Sequence, residues 1–140
     1  MTDWKYDNEG QEIKKRARWV VCGNFQRGND WELTKVYTAV AGSTIVRIFL
    51  LLTTLLDLEY EQFDVMTAFL HADIPEDTEV YVEQPHGYSD GSNRVCLLRK
   101  ALYGLRTSPL WWFGTFTPAI KDLGFEPLST EVCFFYNKAL

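Results

Sequence analysis

Polar and apolar residues alternate along residues 12–21, which predicts a β-strand. Three of the four basic side chains of this stretch share one face of the strand: Lys14, Arg16 and Arg18. Such a cationic face suits either an ordinary solvated edge strand or a surface that meets phosphates. Asn8, Glu9 and Gly10 are a turn signal, so residues 1–11 form either a mobile lead-in or the first arm of a hairpin.

Residues 60–65 alternate as well and predict a half-buried strand, with Phe63 and Val65 on one side. The alternation then stops, and residues 66–70 predict a tight turn or a short helix. Asp64 would therefore lie at the end of a strand among apolar neighbours. A carboxylate there is costly to desolvate unless a cation or hydrogen-bond donors meet it. Asp64 is thus either a capping residue or a metal-binding carboxylate.

The first predicted helix covers about residues 44–58, with Ser43 as its N-cap. Most of its residues are apolar and define one wide face, so we expect it to be largely buried in the core. Between the first strand and this helix, residues 23–30 predict a loop and residues 31–40 an extended connector. The loop glycines match neither a dinucleotide-binding nor a Walker-type pattern.

The second predicted helix begins at Ser108 and Pro109, with the serine as N-cap and the proline at the first helical position. It runs towards residue 123, where Gly124 is the expected stop. Because Gly114 and Pro118 interrupt the pattern, we expect either a kink or two shorter helices, with Thr117 capping the second.

Three further strands are predicted at residues 79–84, 94–100 and 132–136. Strands and helices alternate irregularly, and the strand spacing in the second half is typical of hairpins. The fold class that fits is α+β, a single domain with a mainly antiparallel sheet and packed helices. His71 and His86 fall in loops without ligand-like neighbours, so we expect both at the surface.

Composition narrows the class of protein. A hydrophobic content of 46% and an aromatic content of 15% argue against disorder. The net charge of −5 does not by itself favour nucleic-acid binding, although the basic residues are clustered. Three widely spaced cysteines without a C-x-x-C pattern indicate reduced, mostly buried thiols of an intracellular protein. No stretch is apolar and long enough to be a signal sequence or to span a bilayer, so we expect no membrane partner and a soluble chain.

Six sequence blocks, in order, resemble the reverse transcriptase of copia-type LTR retrotransposons. They are RARWVVCGNFQ, DWELTKVYTAV, FDVMTAFLHADI, VYVEQPHGY, VCLLRKALYGLRTSP and LGFEPLSTEVCFFY. The resemblance as a whole extends over roughly residues 14–138. The resemblance implies part of a right-hand polymerase domain: about residues 12–58 as fingers and about residues 59–140 as the first half of the palm. The implied localisation is cytoplasmic, in a virus-like particle, or nuclear.

The resemblance also implies a site for two-metal nucleotidyl transfer with Mg²⁺. Asp64 matches the first catalytic, metal-binding aspartate, and the carbonyl of Val65 a further metal ligand. Phe69 matches the aromatic gate that crowds the sugar 2′ position. The segment that supports nucleotide and template is matched by Tyr103, Gly104, Ser108 and Pro109. Arg18, with Lys14 or Arg16 nearby, matches the fingers strand that grips the triphosphate.

The implied partners are an RNA or DNA template-primer, deoxynucleoside triphosphates and the remainder of a polyprotein. The 140 residues contain no Asp-Asp pair, whereas the family carries its other two metal-binding aspartates in a Tyr-x-Asp-Asp turn. We therefore expect these residues to be inactive by themselves and to contribute to RNA-directed DNA synthesis in the complete enzyme. We also expect them to self-associate in isolation, with residues 132–136, an apolar strand without proline or charge, as the aggregation-prone segment. The alternatives are a non-enzymatic remnant that binds nucleic acid or a partner protein, and a generic α+β domain.

Overall fold

In a computed structural model that describes residues 2–26 and 40–138, the chain combines two α-helices with short antiparallel strand pairs. The helices are α1 (Ser43–Leu55) and α2 (Ser108–Asp122). The paired strands are β1 (Thr2–Tyr6) with β2 (Glu12–Ala17), β3 (Tyr81–Val82) with β4 (Cys96–Leu97), and β5 (Phe125–Pro127) with β6 (Phe135–Asn137). The predicted combination of α-helices with antiparallel strands is confirmed.

The first two strands form a hairpin, which confirms one of the two alternatives for residues 1–11. Its turn is fixed by Asp7, whose Oδ1 accepts hydrogen bonds from the backbone N–H groups of Glu9 at 2.9 Å and Gln11 at 2.8 Å. β2 ends at Ala17, four residues before the predicted end. The prediction was too long because the backbone N–H of Val21 donates instead to the carbonyl of Tyr103, at 2.8 Å.

The core lies where residues 72–74 and residues 98–108 meet. The buried apolar residues there are Ala72, Ile74, Leu98, Ala101, Leu102 and Leu105. Backbone hydrogen bonds hold the two segments side by side: Ile74 N–H donates to Arg99 at 3.1 Å, and Ala101 N–H donates to Ala72 at 2.9 Å. This small core fixes the positions of the loops on either side of it.

Helix α1 forms close to the predicted residues, but the expectation that it is buried is wrong. None of its residues is buried, and Leu55 is 69% exposed. The nearest aromatic contacts are edge-to-face, from Phe49 to Tyr60 and to Phe134, each with ring centroids 6.4 Å apart. Within the described residues, these rings touch only one side of a helix that is apolar nearly all round. Gly42, not Ser43, is its N-cap.

Helix α2 is one continuous helix, so of the two expected alternatives, a kink or two shorter helices with Thr117 as a cap, the second is wrong. The ring of an internal proline clashes with the carbonyl four residues earlier, and here that residue is Gly114, whose backbone adapts most easily. Ser108 is not the N-cap, because its buried hydroxyl donates to the Leu102 carbonyl at 2.6 Å and Thr107 takes the cap position. The predicted stop is confirmed: Gly124 has a φ of +87°.

The predicted strand over residues 60–65 is wrong. This segment is not paired with any described strand, and Phe63 is 84% exposed. The turn that follows is confirmed as a 3₁₀ turn, Ala68–His71. The predicted strands over residues 79–84, 94–100 and 132–136 are present only as the shorter β3, β4 and β6. Residues 31–39 of the predicted connector over residues 31–40, and residues 27–30 of the loop before it, lie outside the described ranges.

The cysteines and histidines were predicted with mixed success. The three cysteines are free, as expected, but none is buried: Cys22 is exposed, and Cys96 and Cys133 are half-buried. His71 and His86 are both exposed, as expected. Within residues 2–26 and 40–138, no helix has the length and apolar character needed to cross a membrane.

Candidate nucleotide-binding site

Three predicted nucleotide-binding residues from distant parts of the sequence meet at one place. The guanidinium carbon of Arg18 lies 5.6 Å from the ring centroid of Tyr103. On the same tyrosine, the ring of Phe69 packs in a tilted arrangement with centroids 4.9 Å apart. We call these three side chains the Arg18–Phe69–Tyr103 cluster. Arg18 is exposed, whereas the two rings are half-buried, so the cluster is a cation held above an aromatic wall.

Phe69 is positioned by the turn that precedes it and by the core that follows it. Thr67 has a φ of +53°, in the left-handed region that a β-branched residue rarely adopts. The turn closes when the N–H of Leu70 donates to the Thr67 carbonyl at 2.8 Å. Ala72 directly follows the 3₁₀ turn and is fully buried, and its carbonyl accepts a hydrogen bond from the N–H of Ala101. Because Ala101 lies two residues before Tyr103, this bond holds the turn close to Tyr103.

The chemistry available at the cluster is anion binding beside an aromatic surface. A guanidinium group presents a planar fork of N–H donors that matches phosphate geometry, and an aromatic face restricts its orientation. Since Arg18 is exposed, an anion can reach it from solvent. The Phe69 and Tyr103 rings offer adjacent apolar surface for a sugar or a base. A nucleoside triphosphate has both of these parts.

The other two predicted cations lie on β2 of the hairpin. Lys14 faces Lys5 across the strand pair, and Arg16 is in register with Asp3. No contact described in the structure joins Lys14 to the cluster, so its role in gripping the triphosphate, and that of Arg16, stay predictions. The sequence pattern did not identify Lys5 as a member of this cationic surface. Lys5 lies opposite Lys14 only if residues 1–11 form the first arm of a hairpin, and that was one of two interpretations.

Asp64 and Val65 lie in the exposed segment just before the 3₁₀ turn. The described residues include no group of three His, Cys, Asp or Glu side chains arranged to hold a metal ion. A lone exposed carboxylate with a neighbouring carbonyl does not fit a pair of magnesium ions, which need several oxygen ligands in near-octahedral order. The catalytic and metal-binding roles of Asp64 and Val65 therefore stay predictions.

Sequence reasoning missed two residues that tie the cluster to the loop after β2. The Nε of Arg106 donates to the carbonyl of Gly23 at 2.9 Å, and its backbone N–H donates to Oε1 of Gln26 at 3.1 Å. These partners are 83 and 80 residues apart in sequence. No local pattern signals such a contact. The only hint was that both residues fall within blocks that carry the family resemblance.

A cavity of about 220 Å³ lies beside this loop, on the side of the β3 strand. It is lined by Val21, Gln26, Glu79, Val80, Tyr81, Val82 and Leu105. The hydroxyl of Tyr81 donates to Glu79 at 3.0 Å, and this bond together with the nearby carboxylate charge raises the pKa of Tyr81. The phenol therefore stays protonated at neutral pH, and we assign it no chemistry.

Comparison with known proteins decides the family. A family model described as reverse transcriptase (RNA-dependent DNA polymerase) matches residues 2–139. The chain belongs to the reverse transcriptase family. No solved structure matches it.

The similar curated proteins are copia-type polyproteins of transposons. The retrovirus-related Pol polyprotein from transposon TNT 1-94 of Nicotiana tabacum is 35% identical over 136 residues, which is 96% of this chain and 10% of that protein. The Pol polyprotein from transposon RE1 of Arabidopsis thaliana is 37% identical, over 94% of this chain and 9% of its own length. The Transposon Ty1-LR2 Gag-Pol polyprotein of Saccharomyces cerevisiae is 31% identical, over 93% of this chain and 7% of its own length. This reverse transcriptase chain thus spans a tenth or less of these relatives.

Proposed function

We propose that this reverse transcriptase segment binds the incoming deoxynucleoside triphosphate during RNA-directed DNA synthesis. The supporting observation is the Arg18–Phe69–Tyr103 cluster, which joins an exposed cation to two aromatic rings. In this proposal Arg18 binds the triphosphate, Tyr103 supports the nucleotide, and Phe69 crowds the sugar 2′ position. Gly104 supports the nucleotide from the backbone. The segment acts within a complete enzyme supplied by the rest of a polyprotein.

The reaction we propose for that complete enzyme is nucleotidyl transfer. A primer 3′-hydroxyl attacks the α-phosphate of the bound triphosphate, a new phosphodiester bond forms, and pyrophosphate leaves. Residues 12–58 correspond to fingers and residues 59–140 to the first half of a palm. Catalysis of phosphoryl transfer comes from positioning together with electrostatic stabilisation of the developing charge, and the residues described here contribute to the positioning. The template-primer and the deoxynucleotide are its substrates.

Nucleotide binding by the 140-residue chain tests the proposal directly. A fluorescent dATP analogue is titrated into the wild type, Arg18→Gln and Arg47→Gln. Arg47 is the matched control, because it is also an exposed arginine but lies on α1. A charged hydrogen-bonding partner is worth about 1.5–3 kcal/mol, so we expect Arg18→Gln to weaken binding about tenfold or more.

Equal affinities for the three proteins contradict the assignment of Arg18 to the triphosphate. The same titration with deoxyadenosine separates the two halves of the site. If Arg18 contacts only the phosphates, Arg18→Gln weakens binding of the triphosphate but leaves the weak binding of deoxyadenosine unchanged.

A second candidate function, nucleic-acid binding without catalysis, is favoured by the N-terminal hairpin. Lys5 and Lys14 are directly opposite each other, an arrangement that destabilises a strand pair unless an anion compensates it. On the other face of the hairpin, Trp4 is in register with Lys15, whose Nζ lies 5.6 Å from the Trp4 ring. Trp4 and Tyr6 are 41% and 51% exposed. Exposed rings beside lysines suit a single-stranded nucleic acid, whose bases stack and whose phosphates attract cations.

Lys5→Glu separates a binding role of this hairpin from a structural one. The substitution replaces a like-charged cross-strand pair with an attractive pair, so we expect the unfolding free energy to rise by about 0.2–1 kcal/mol. Binding of a fluorescent single-stranded oligonucleotide, measured by anisotropy, falls in the same variant. Lys121→Gln, on α2, is the control. If Lys5→Glu leaves oligonucleotide affinity unchanged, the hairpin has no part in binding.

A further inference from the structure

The loop after β2 and the loop before α2 approach each other backbone to backbone at two glycines. Gly104 has a φ of +93°, and a Cβ atom there would overlap the carbonyl oxygen of Val21. A Cβ atom on Gly23 would overlap the carbonyl oxygen of Gly104 in turn. Backbone atoms cannot rotate away as a flexible side chain can. Any side chain at either glycine therefore pushes the two loops apart.

Three hydrogen bonds cross the same contact. Val21 N–H donates to the Tyr103 carbonyl at 2.8 Å, and Arg106 donates to Gly23 and to Gln26 at 2.9 and 3.1 Å. Donors come from both loops, so the contact is fixed from two sides. We call residues 21–26 and 103–106, joined in this way, the glycine junction.

The glycine junction connects the backbone near Arg18 to the backbone of Tyr103. Val21 is three residues after Arg18, and its hydrogen bond ends on the carbonyl of Tyr103 itself. Arg18 directly follows the last residue of β2. A long exposed side chain loses considerable entropy when it is fixed in one place. The bond between Val21 and Tyr103 keeps the backbone that carries Arg18 beside the backbone of Tyr103.

We propose that Gly23, Gly104 and Arg106 are positioning residues that hold Arg18 above the Tyr103 ring. Gly23 and Arg106 touch no substrate, and all three residues act on Arg18 by setting the distance between the two loops. For nucleotide binding, this inference rests on the proposed function of the Arg18–Phe69–Tyr103 cluster. The placement of Arg18 over the ring is a property of the free protein and is measurable without any nucleotide.

The chain provides a matched control for each glycine. Gly23→Ala is compared with Gly42→Ala, because a Cβ atom at Gly42 meets nothing within 4 Å. Gly104→Ala is compared with Gly87→Ala, because Gly87 has a similar φ of +85° but open space around it. The second pair separates backbone strain, which both variants share, from separation of the loops, which only Gly104→Ala causes.

The first measurement is the NMR signal of the Arg18 side-chain Nε–H, which the Tyr103 ring shifts by its ring current. We expect the shift to be lost in Gly23→Ala and Gly104→Ala and kept in Gly42→Ala and Gly87→Ala. Retention of the shift in both junction variants overturns the proposal. Should Gly104→Ala fail to fold, Gly23→Ala decides alone, since its φ does not require glycine.

The second measurement is the affinity for the fluorescent dATP analogue. We expect both junction variants to bind at least fivefold more weakly than their controls. In an Arg18→Gln background Gly23→Ala should add no further loss, because Gly23 acts through Arg18. An equal further loss in that background shows a general structural role and overturns the proposal.

The two measurements also distinguish the failure of each idea. If the wild type binds no dATP but the ring-current shift follows the glycines, the positioning role stands and the nucleotide-binding proposal fails. If the wild type binds dATP but the glycine substitutions leave the ring-current shift unchanged, the nucleotide-binding proposal stands and the positioning role fails. Arg106→Met should weaken the shift and Arg106→Lys should restore part of it, because a lysine keeps one donor for the Gly23 carbonyl.

Discussion

In the proposed site, the contact between Phe69 and Tyr103 would serve both nucleotide binding and selectivity. Their ring centroids are 4.9 Å apart, so each ring limits the movement of the other. The Tyr103 ring also carries the Arg18 guanidinium at 5.6 Å. Phe69 therefore presents a rigid edge close to where a bound triphosphate would be held. A rigid edge discriminates by shape, whereas a mobile ring would move aside.

Phe69→Ala tests this selectivity at the scale of one residue. With the ring removed, we expect the preference of the chain for dATP over ATP to fall towards unity, because space opens beside the sugar 2′ position. The ratio of the two dissociation constants is the measurement. Phe63→Ala is the control, since Phe63 lies six residues earlier and is 84% exposed. A ratio that Phe69→Ala leaves unchanged removes the gate assignment.

Residues of the cluster were predictable as candidates where a local pattern or a sequence block identified them. Arg18 stood out by alternation, and Phe69 and Tyr103 by their sequence blocks. Arg106 and Gln26 did not stand out, because their contact joins positions 80 residues apart and leaves no periodic trace. Lys5 was missed for a related reason: its significance depends on a cross-strand partner that only the folded hairpin reveals.

At the scale of elements, α2 contains a buried polar group without a partner. Among the described residues, Thr117 Oγ1 is buried and makes no hydrogen bond, whereas Thr115 Oγ1 donates to the Trp111 carbonyl at 3.1 Å. A buried hydroxyl without a partner costs about 1–3 kcal/mol. Replacing it with a methyl group of the same shape removes that cost. Thr117 is therefore a point where the helix is less stable than it could be.

We expect Thr117→Val to raise the free energy of unfolding by about 1 kcal/mol. Thr115→Val, two residues earlier on the same helix, is the matched control and should leave stability unchanged or lower it, because it removes a satisfied hydroxyl. Urea denaturation followed by circular dichroism measures both. A loss of stability in Thr117→Val would mean that its hydroxyl has a partner, such as a buried water.

The positions of the helices in the sequence were predicted better than the packing around them. Periodicity located α1 and α2 within a few residues, since 3.6-residue spacing and helix stops are local signals. It could not tell that α1 is exposed, because a pattern shows which face is apolar and not what covers it. The strand predicted over residues 60–65 failed for the same reason. Alternation fits an extended chain, but a strand also needs a hydrogen-bonding neighbour.

At the scale of the whole molecule, the apolar surface is unevenly distributed. The core is small and lies around residues 72–74 and 98–108, while α1 carries large exposed apolar side chains over its whole length. Arg47 is the single charged residue on that helix. A contiguous apolar surface of this kind is unusual on a monomeric protein and favours association. The class of fold was predictable from sequence, but this imbalance was not.

We expect the 140-residue chain to self-associate, and the structure suggests a different surface from the one that sequence reasoning favoured. The segment over residues 132–136 was the expected contact, yet most of it is half-buried. Leu51 and Leu55 are 56% and 69% exposed and are one helical turn apart on α1. Their burial against a second copy would remove apolar surface from water at about 25 cal/mol per Å².

Sedimentation velocity over a range of protein concentrations measures the outcome. Leu51→Glu with Leu55→Glu should convert the oligomer to a monomer, because two carboxylates on the contact face resist desolvation. Val132→Glu is the control, as Val132 is an exposed apolar residue of the alternative segment, 42% accessible. If Val132→Glu alone dissolves the oligomer, the terminal strand is the contact. A wild type that stays monomeric at every concentration contradicts self-association through either surface.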